Sequence, residues 1–477
     1  MKILFVASEV HPYSKTGGLA DVAHALPRAL ADAGHEVLVV TPAYGDLKGG
    51  WPTPLGQSVT LRFPVGHFEV DLLEHRPSAR HRVLFLGNHG LFGRSGIYGD
   101  AHGDFGDNAL RFTVLSVGAL TAAQALGFAP DIVHLNDWQT GPAALALTRG
   151  YANTPLADAR SVFTIHNLAY QGVFPKSQMD ALGIPWDAFR PDGLEFHDHL
   201  SFMKAGLNWA DALTTVSPTY AREIQTREHG EGLDALLRER AGELFGILNG
   251  VDPDEWDPAR DPHLPAHFTA ADLTGKQVCR RELLGRFGLD PASTGPLFVC
   301  VSRLAHQKGL DLALEVLPGL LSHGDARFIL LGSGERRLEH GFRQLAARFP
   351  HQVGLQLRYD EPLSHLVEAG GDFFIMPSRY EPCGLNQLYS LRYGTLPIVR
   401  YTGGLADTVV DAGLPEGTGL VFGEFHPGAL AHALERALQV HANPDWMGPV
   451  RARGMAQDFS WARSARAYEG LYRRLIG

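Results

Sequence analysis

The chain has 477 residues, enough for two large domains or about three average ones, each with a sizeable core. Charged residues make up 20 % and hydrophobic residues 45 %, which is ordinary for a folded protein and excludes wholesale disorder. The net charge of −10 argues against a nucleic-acid partner, and no apolar run reaches the ~18 residues of a membrane helix. Three cysteines cannot build a disulfide framework, so we expect a reducing, cytoplasmic setting.

Short apolar runs bounded by Gly, Pro or Asp predict buried strands in the first half of the chain. The first run, at residues 3–7, is too short for a signal peptide and is interpreted as a strand. Helical patterns lie between most runs, as at 19–33 and 109–126, and this alternation predicts a parallel sheet with helices on both faces. The other strands predicted in this half are 36–40, 83–86, 132–135, 162–165 and 212–216.

The same alternation restarts after a stretch at 252–276 that is rich in Pro and acidic residues and is interpreted as a linker or irregular excursion. We therefore predict two α/β domains, at 1–248 and 249–457, and a C-terminal helix at 458–477 that packs back on the first. The second domain is predicted to contain strands at 297–301, 328–331, 354–357, 373–376 and 396–399, and helices that include 309–321 and 382–393.

One six-residue segment occurs twice: Thr-Gly-Gly-Leu-Ala-Asp at 16–21 and again at 402–407. Each copy opens a predicted helix, and the backbone N–H groups at a helix N-terminus attract anions, phosphate above all. Lys15, just before the first copy, suits a pyrophosphate or a sugar hydroxyl. Convergent loop chemistry and a solvated lysine would explain the same letters, so the anion-binding interpretation depends on the other motifs.

Charged side chains follow two predicted strands of the second half. Arg303 and Lys308 come after strand 297–301, and ligands of open α/β sheets collect at the carboxyl ends of strands. Two cations there could stabilise a departing diphosphate, although surface charges are the plainer alternative. Glu381 follows strand 373–376 at a predicted helix entrance, with Pro382 in the first turn, where it could cap the helix or bind sugar hydroxyls.

A further polar pair follows two strands of the first half. Asp137 comes after strand 132–135 and His166 after strand 162–165, so we expect them side by side at one sheet edge. Such a pair suits acid–base chemistry or sugar binding, while either residue alone is more typical of a structural loop. The sequence lacks a P-loop and the usual zinc motifs, and the cluster at 195–199 is more typical of a polar loop than of a metal site.

Seven motifs occur in order along the chain and together resemble those of bacterial glycogen synthases and plant starch synthases. The likeness runs from Met1 to the C-terminal helix. The motifs are Lys-Thr-Gly-Gly-Leu-Ala-Asp (15–21), His-Leu-Asn-Asp-Trp-Gln (134–139), Thr-Ile-His-Asn-Leu-Ala-Tyr-Gln-Gly (164–172), Ile-Leu-Asn-Gly-Val-Asp (247–252), Ser-Arg-Leu-Ala-His-Gln-Lys-Gly (302–309), Ser-Arg-Tyr-Glu-Pro-Cys-Gly-Leu (378–385) and Thr-Gly-Gly-Leu-Ala-Asp-Thr (402–408).

The resemblance implies a GT-B glycosyltransferase, in which two Rossmann-like domains face each other across a deep cleft. It implies transfer of glucose from ADP-glucose to the non-reducing end of an α-1,4-glucan such as glycogen, with the anomeric configuration retained. It implies no metal and no other cofactor. The net charge argues separately against a nucleic-acid partner, and the lack of a long apolar run argues against a membrane partner. The preference for ADP-glucose over UDP-glucose depends on this likeness alone, because no residue reads out adenine by a visible rule.

The resemblance also implies roles for individual residues. Arg303 and Lys308 would stabilise the departing diphosphate, Glu381 and His166 would hold the transferred glucose, and Asp137 would lie near the reacting centre and the acceptor. Tyr359 would lie against the adenine. The other residues implied in binding ADP-glucose are Lys15, Gly17, Gly18, Asp21, Tyr98, Asn249, Cys383, Gly384, Leu385, Thr402, Gly403 and Gly404.

Two positions depart from related patterns: Asn386 stands where family members often carry Thr, and Tyr389 stands where broader retaining transferases carry a second Glu. Three other functions remain open. A glycoside hydrolase could use Asp137 and Glu381 as its carboxylate pair, a glucan phosphorylase would share the architecture, and a non-catalytic glucan-binding protein could keep the fold.

Overall fold

A computed structural model describes residues 1–47, 52–322 and 324–477. The chain divides into two compact units. Unit 1 consists of Met1–Val216, Ala221–Gly250 and Trp461–Gly477, and unit 2 consists of Ser217–Tyr220 and Val251–Ser460. Each unit is an α/β structure built around its own sheet. Among the described residues, none of the helices combines the length and the apolar character that crossing a bilayer requires.

The main sheet of unit 1 has nine strands in the order β14-β13-β9-β8-β1-β2-β5-β4-β3. The neighbouring strands from β14 to β5 pair in parallel. The pairs β5–β4 and β4–β3, at one edge of the sheet, are antiparallel. Two small antiparallel sheets, β6-β7 and β10-β12-β11, complete the strands of the unit. The strands are β1 Lys2–Val6, β2 Glu36–Pro42, β3 Thr53–Phe63, β4 Gly66–His75, β5 His81–Gly87, β6 Gly99–Asp100, β7 Gly103–Asp104, β8 Ile132–Asn136, β9 Arg160–Ile165, β10 Val173–Pro175, β11 Glu195–Phe196, β12 His199–Ser201, β13 Ala212–Thr215 and β14 Leu244–Gly246.

Helices cover the sheet of unit 1 because its central strands are buried along nearly their whole length. The chain returns to this unit at its C-terminus, where the last helix packs against α1 and its Tyr472 hydroxyl lies 2.6 Å from Nδ1 of His134 on β8. The helices are α1 Gly18–Asp32, α2 His89–Phe92, α3 Asn108–Ala125, α4 Gly141–Gly150, α5 Gln178–Leu182, α6 Phe202–Trp209, α8 Asp234–Glu239 and, at the end of the chain, α17 Trp461–Ile476. A further helix, α7 Pro218–Glu223, has its first three residues in unit 2 and the rest in unit 1.

Unit 2 contains a six-stranded, fully parallel sheet in the order β17-β16-β15-β18-β19-β20. Its strands are apolar on both faces, which suits a parallel sheet covered by helices. The strands are β15 Leu297–Val301, β16 Arg327–Leu331, β17 Val353–Gln356, β18 Phe373–Met376, β19 Leu396–Arg400 and β20 Leu420–Phe422. The helices are α9 Thr274–Arg286, α10 Leu310–Ser322, α11 Arg336–Arg348, α12 Glu361–Gly370, α13 Asn386–Arg392, α14 Gly403–Thr408, α15 Pro427–His441 and α16 Pro444–Met455.

The order of the strands decides which loops lie together. In unit 1, β8 and β9 are parallel neighbours, so the loops that carry Asp137 and His166 leave the same sheet edge. In unit 2, β15 and β18 are parallel neighbours, and the loops after them carry Lys308 and Glu381. Each pair of polar loops therefore lies at the carboxyl ends of its own sheet, where ligands of this class of fold bind.

Candidate functional site

Asp137 and His166 lie together in unit 1, as expected from their strands. Oδ1 of Asp137 accepts a hydrogen bond from the backbone N–H of His166 at 2.7 Å, and the N–H of Asp137 donates to the carbonyl of Thr164 at 2.9 Å. The backbone of Asp137 has φ 56° and ψ 179°, a conformation that almost only glycine adopts and that strains an L residue. The loop after β8 thus holds this carboxylate in place at a cost of about 1–3 kcal/mol.

The environment of Asp137 favours its protonated form. Burial raises the pKa of this carboxyl to about 7, and the negative charge of Glu9 adds to the rise, while the N–H groups of His166 and Asn167 oppose it. A carboxyl that titrates near neutral pH can both accept and release a proton in a reaction. The structure therefore gives Asp137 the properties of an acid–base or acceptor-orienting group.

His166 is a neutral imidazole, because burial lowers its pKa to about 3. Its Nε2 lies 3.0 Å from Oδ1 of Asn136, and the amide of Asn136 is oriented by its Nδ2, which donates to the carbonyl of Val6 at 2.9 Å. Nε2 must then carry the proton and donate to that oxygen, which leaves Nδ1 as the acceptor nitrogen. A fixed neutral histidine suits hydrogen bonding to a sugar hydroxyl.

Glu9 was missed by the sequence analysis, although it lies at the centre of this part of unit 1. It is buried, and its carboxylate accepts hydrogen bonds from the backbone N–H of Thr16, from that of Gly17 at 3.3 Å, and from the hydroxyl of Tyr98 at 2.8 Å. Burial raises the pKa of Glu9 against the lowering effect of these donors. Its position three residues beyond β1, at a carboxyl strand end, is the signal that could have identified it.

The first Thr-Gly-Gly loop is thereby occupied by a carboxylate of the chain itself. The N–H groups of Thr16 and Gly17 point to Glu9, and Nζ of Lys15 forms an ion pair with Oδ1 of Asp21 at 2.7 Å. Helix α1 begins at Gly18, as the motif predicted. A Cβ on Gly17 would meet no atom within 4 Å, so packing within the chain does not by itself require glycine there.

In unit 2, Lys308 and Glu381 form an ion pair. Nζ of Lys308 donates to Oε2 of Glu381 at 2.6 Å, and the hydroxyl of the buried Ser378 donates to the same oxygen at 2.9 Å. Glu381 is buried and Lys308 is mostly so, whereas Arg303 is exposed. The ammonium group has three N–H donors, so Lys308 can keep its bond to Glu381 and still bind phosphate oxygens.

The segment after Glu381 corrects one expectation. The helix predicted to begin at 382 starts only at Asn386, so Glu381 does not cap it and Pro382 is not in its first turn. Gly384, which precedes the helix, has φ +71°, a left-handed conformation that interrupts the helical path. Cys383 is buried in this turn, while Gly384 and Leu385 are partly exposed.

The second Thr-Gly-Gly copy, at Thr402, Gly403 and Gly404, packs directly on the Glu381 segment. The N–H of Gly404 donates to the carbonyl oxygen of Glu381 at 3.0 Å. A Cβ on Gly403 would lie 1.9 Å from that oxygen, and Gly403 has φ +44°, so only glycine fits. Helix α14, which begins at Gly403, therefore supports the backbone that carries Glu381.

Two other predicted residues, Tyr359 and Asn249, lie apart from these hydrogen-bonded clusters, whereas Tyr98 belongs to the cluster around Glu9. The ring of Tyr359 is 71 % exposed in unit 2, as a residue that stacks on a flat ligand would be. Asn249 is buried in unit 1, and its Oδ1 has no hydrogen-bond partner among the described residues. Tyr98 binds both Glu9 and the hydroxyl of Ser8, each at 2.8 Å.

The two departures from related patterns have local structural roles. Nδ2 of Asn386 donates to the carbonyl of Val301 at 2.5 Å, which joins the start of α13 to the end of β15. The ring of Tyr389 stacks on Trp256 with 3.7 Å between ring centroids and 3° between the planes. In the portions of the chain that the structure describes, His, Cys, Asp and Glu form no group of three that could hold a metal ion.

Comparison with known proteins identifies both halves of the chain. A family model described as the starch synthase catalytic domain matches residues 2–239, and one described as glycosyl transferases group 1 matches residues 285–446. A glycogen synthase of Myxococcus xanthus is 60 % identical over all of both chains. A glycogen synthase of Thioalkalivibrio sulfidiphilus is 49 % identical, again over all of both.

A solved structure shows the same architecture. The catalytic domain of starch synthase IV from Arabidopsis thaliana, bound to ADP and acarbose, has a TM-score of 0.92 and 35 % identity, covering 100 % of this chain and 99 % of its own. The predicted resemblance and the predicted GT-B type of fold are thus confirmed. The chain belongs to the glycogen and starch synthase family, hexosyltransferases that take a nucleotide-sugar donor and a glucan acceptor.

Proposed function

We propose that this protein transfers glucose from ADP-glucose to the non-reducing end of an α-1,4-glucan, elongating glycogen with retention of the anomeric configuration. The observation that carries the proposal is the ion pair of Lys308 and Glu381, braced by Ser378, at the carboxyl ends of the unit 2 strands. The relative from Arabidopsis was solved with ADP, which is the product that ADP-glucose leaves after transfer. The glycogen synthases of similar sequence support glycogen as the acceptor.

The proposal assigns the donor chiefly to the domain at 249–457 and the acceptor to the domain at 1–248, with the helix at 458–477 belonging to the latter. Lys308 and Arg303 stabilise the diphosphate as its negative charge grows, and no metal is needed for that step. Glu381 and the N–H groups of Cys383 and Gly384 hold the transferred glucose. Tyr359, with most of its ring exposed, stacks on the adenine.

The remaining donor contacts belong to the two Thr-Gly-Gly loops and their neighbours. In the proposal, five residues of unit 1 contact the diphosphate or the glucose: Lys15, Gly17, Gly18, Asp21 and Tyr98. The residues of unit 2 that do so are Leu385, Thr402, Gly403 and Gly404. His166 and Asn249 hold the glucose, and the unpartnered Oδ1 of buried Asn249 supports this role, because a sugar hydroxyl would satisfy it.

Retention follows, in this proposal, from attack on the face that the diphosphate leaves. The 4-hydroxyl of the glucan approaches the anomeric carbon as the bond to the diphosphate oxygen breaks, and a phosphate oxygen takes the hydroxyl proton. Asp137 lies near the acceptor and orients it. Double displacement would need a nucleophile on the opposite face of the sugar, and the motifs offer no clear candidate.

We also propose that the reaction takes place in the cytoplasm. All three cysteines lie in described parts of the chain, are buried, and form no disulfide bond. Buried thiols without disulfide bonds are typical of proteins from reducing compartments.

The type of reaction is tested by incubating the protein with ADP-glucose and a short α-1,4-glucan of defined length. Transfer predicts equal release of ADP and growth of the glucan, with the new units removed by an enzyme specific for α-1,4 bonds. Release of sugar without a nucleotide donor would indicate a hydrolase. Growth only from glucose 1-phosphate would indicate a phosphorylase, and binding of glucan without turnover would indicate a non-catalytic protein.

A further inference from the structure

Arg379 joins the two segments of unit 2 that carry Lys308 and Glu381. Its backbone N–H donates to the carbonyl of Gln307 at 2.9 Å, and its Nε donates to the carbonyl of His306 at 3.2 Å. A third hydrogen bond runs in the opposite direction, from Nε2 of Gln307 to the carbonyl of Tyr380 at 3.3 Å. These three hydrogen bonds join the turn that carries Lys308 to the segment that carries Glu381.

The guanidinium group of Arg379 makes three different contacts at once. While Nε binds the turn, one terminal nitrogen forms an ion pair with Asp311 at the start of α10, and the guanidinium carbon Cζ lies over the ring of Phe425, 4.0 Å from its centroid. A planar fork with five N–H donors can satisfy all three directions, whereas the ammonium group of lysine is a point charge on a flexible stem. The geometry therefore requires arginine and not only a positive charge.

The turn at 306–309, which carries Lys308, is in close contact with neighbouring residues of unit 2. Gly309 has φ +62°, and a Cβ there would lie 2.0 Å from the carbonyl oxygen of Pro377 and 2.8 Å from Phe425. The turn is thus pressed against the same loop that Arg379 belongs to. Lys308 belongs to the turn and Glu381 to the loop. The distance between Nζ of Lys308 and Oε2 of Glu381 therefore depends on how the turn and the loop are joined.

We propose that Arg379 is a positioning residue that fixes Lys308 relative to Glu381 for the transfer step. The inference depends on the proposed role of Lys308, and Arg379 is not itself expected to touch the substrate. Asp311 and Phe425 take part by holding the guanidinium plane. A displaced catalytic group can cost on the order of a hundredfold in rate, so loosening this joint lowers kcat while leaving the binding of substrate largely intact.

The first test compares Arg379→Lys with Arg343→Lys, in which an exposed arginine of α11 that pairs with Glu339 is changed in the same way. We expect Arg379→Lys to lower kcat by roughly ten- to a hundredfold with KM for the donor within about threefold, and with the melting temperature nearly unchanged. Arg343→Lys should behave as the unmodified protein. Unchanged kcat in Arg379→Lys, or a loss explained by unfolding in the thermal melt, would overturn the proposal.

The second test is a double-mutant cycle with Lys308→Ala, in which residual turnover is measured over long incubations. If Arg379 acts through Lys308, the double variant turns over no more slowly than Lys308→Ala alone. Independent, multiplying losses would overturn the proposal. The cycle also separates two failures: full activity of Lys308→Ala would reject the proposed role of Lys308 itself, whereas full activity of Arg379→Lys beside an impaired Lys308→Ala would reject only the role of Arg379.

Discussion

Asp137 combines two unfavourable features at one residue. Its backbone is in a region that almost only glycine occupies, and its buried carboxyl has a pKa of about 7. Strain and burial of this kind persist only where the surrounding structure holds them, and they concentrate at functional sites. The same pKa shift has a consequence for stability that can be measured without substrate.

The pH dependence of stability tests the burial of Asp137. Its ordinary pKa is 3.8, so between about pH 4 and 7 the unfolded chain has lost the proton that the folded chain still keeps, and folding becomes less favourable as the pH rises. Asp137→Asn removes this contribution. The melting temperature of the variant minus that of the unmodified protein should therefore rise as the pH increases from 4 to 7. Above pH 7 this difference should stay constant.

The size and the control of this experiment follow from the same linkage. Each pKa unit corresponds to about 1.4 kcal/mol, so a shift of about three units gives a total change of at most about 4 kcal/mol. Asp192→Asn, which changes an exposed loop carboxylate, should show a constant difference from the unmodified protein. A constant difference for Asp137→Asn as well would contradict the assigned pKa.

Lys308 is the residue on which the proposed chemistry most depends. Lys308→Ala should lower kcat at least tenfold, because removal of one preorganised charge of this sort typically costs about 10²–10³ in kcat. Lys176→Ala is the matched control, since Lys176 pairs with Asp198 at 2.6 Å on the surface of unit 1. Initial rates and circular dichroism of both variants check the prediction. Near-normal turnover by a folded Lys308→Ala protein would remove Lys308 from the mechanism.

At the scale of elements, the close approach of α14 to the Glu381 segment is a steric constraint next to the candidate site. A Cβ on Gly403 would lie 1.9 Å from the Glu381 carbonyl oxygen, so Gly403→Ala must push the helix and that segment apart. We expect a loss of about 1–3 kcal/mol in stability and a clear loss of turnover. Thermal denaturation and initial rates measure both.

Gly470→Ala provides the control for this substitution. Gly470 lies within α17, is exposed, and a Cβ there would meet no atom within 4 Å. Alanine is the better helix former, so Gly470→Ala should stabilise the protein by about 0.5–1 kcal/mol without changing turnover. Equal behaviour of the two variants would show that the contact between Gly403 and Glu381 does not matter.

The predicted strands of both sheets closely match the observed ones because buried parallel strands are continuous apolar runs. The hairpin of β3 and β4 was not predicted. Its strands lie at the sheet edge, mix polar and apolar residues, and are exposed along much of their length, so their sequence lacks that signal. The late start of α13 was also missed, since a left-handed Gly384 cannot be recognised from its letter.

At the scale of the whole molecule, the last helix completes unit 1 although it is more than 200 residues away in sequence. Helix α17 buries Trp461, Tyr468, Leu471 and Tyr472 in the core that also contains β1 and α1. The hydroxyl of Ser464 donates to the carbonyl of Leu248 at 2.6 Å. Unit 1 is therefore not a continuous stretch of the chain.

A truncated protein that ends at residue 460 should lose most of the stability of unit 1. Burial of a large apolar side chain contributes roughly 1.5–3 kcal/mol, so the loss of four of them is comparable to the stability of a typical domain. We expect aggregation or a much lower melting temperature. Removal of only the last two residues, Ile476 and Gly477, is the control and should change little, because both are exposed. A stable protein without α17 would contradict this account.

The sequence predicted the family through ordered motifs, but it could not show how their side chains pair. Lys15 was expected to bind a pyrophosphate or a sugar hydroxyl and Lys308 a departing diphosphate, and each is bound to a carboxylate of its own unit. Glu9 accepts a hydrogen bond from the hydroxyl of Tyr98, which is 89 residues away in sequence. No local sequence pattern reveals that contact. Such pairings arise from the tertiary fold, and the roles assigned to these residues remain predictions.

The most direct test of the central claim measures incorporation of labelled glucose into glycogen from ADP-glucose and from UDP-glucose, in parallel and with a strong chelator present. The account predicts incorporation from ADP-glucose at a rate that the chelator does not change, and much slower incorporation from UDP-glucose. Preference for UDP-glucose would contradict the donor, and loss of activity with the chelator would contradict the role of Arg303 and Lys308 in place of a metal. No incorporation from either donor, by protein that still binds glucan, would contradict the proposed function as a whole.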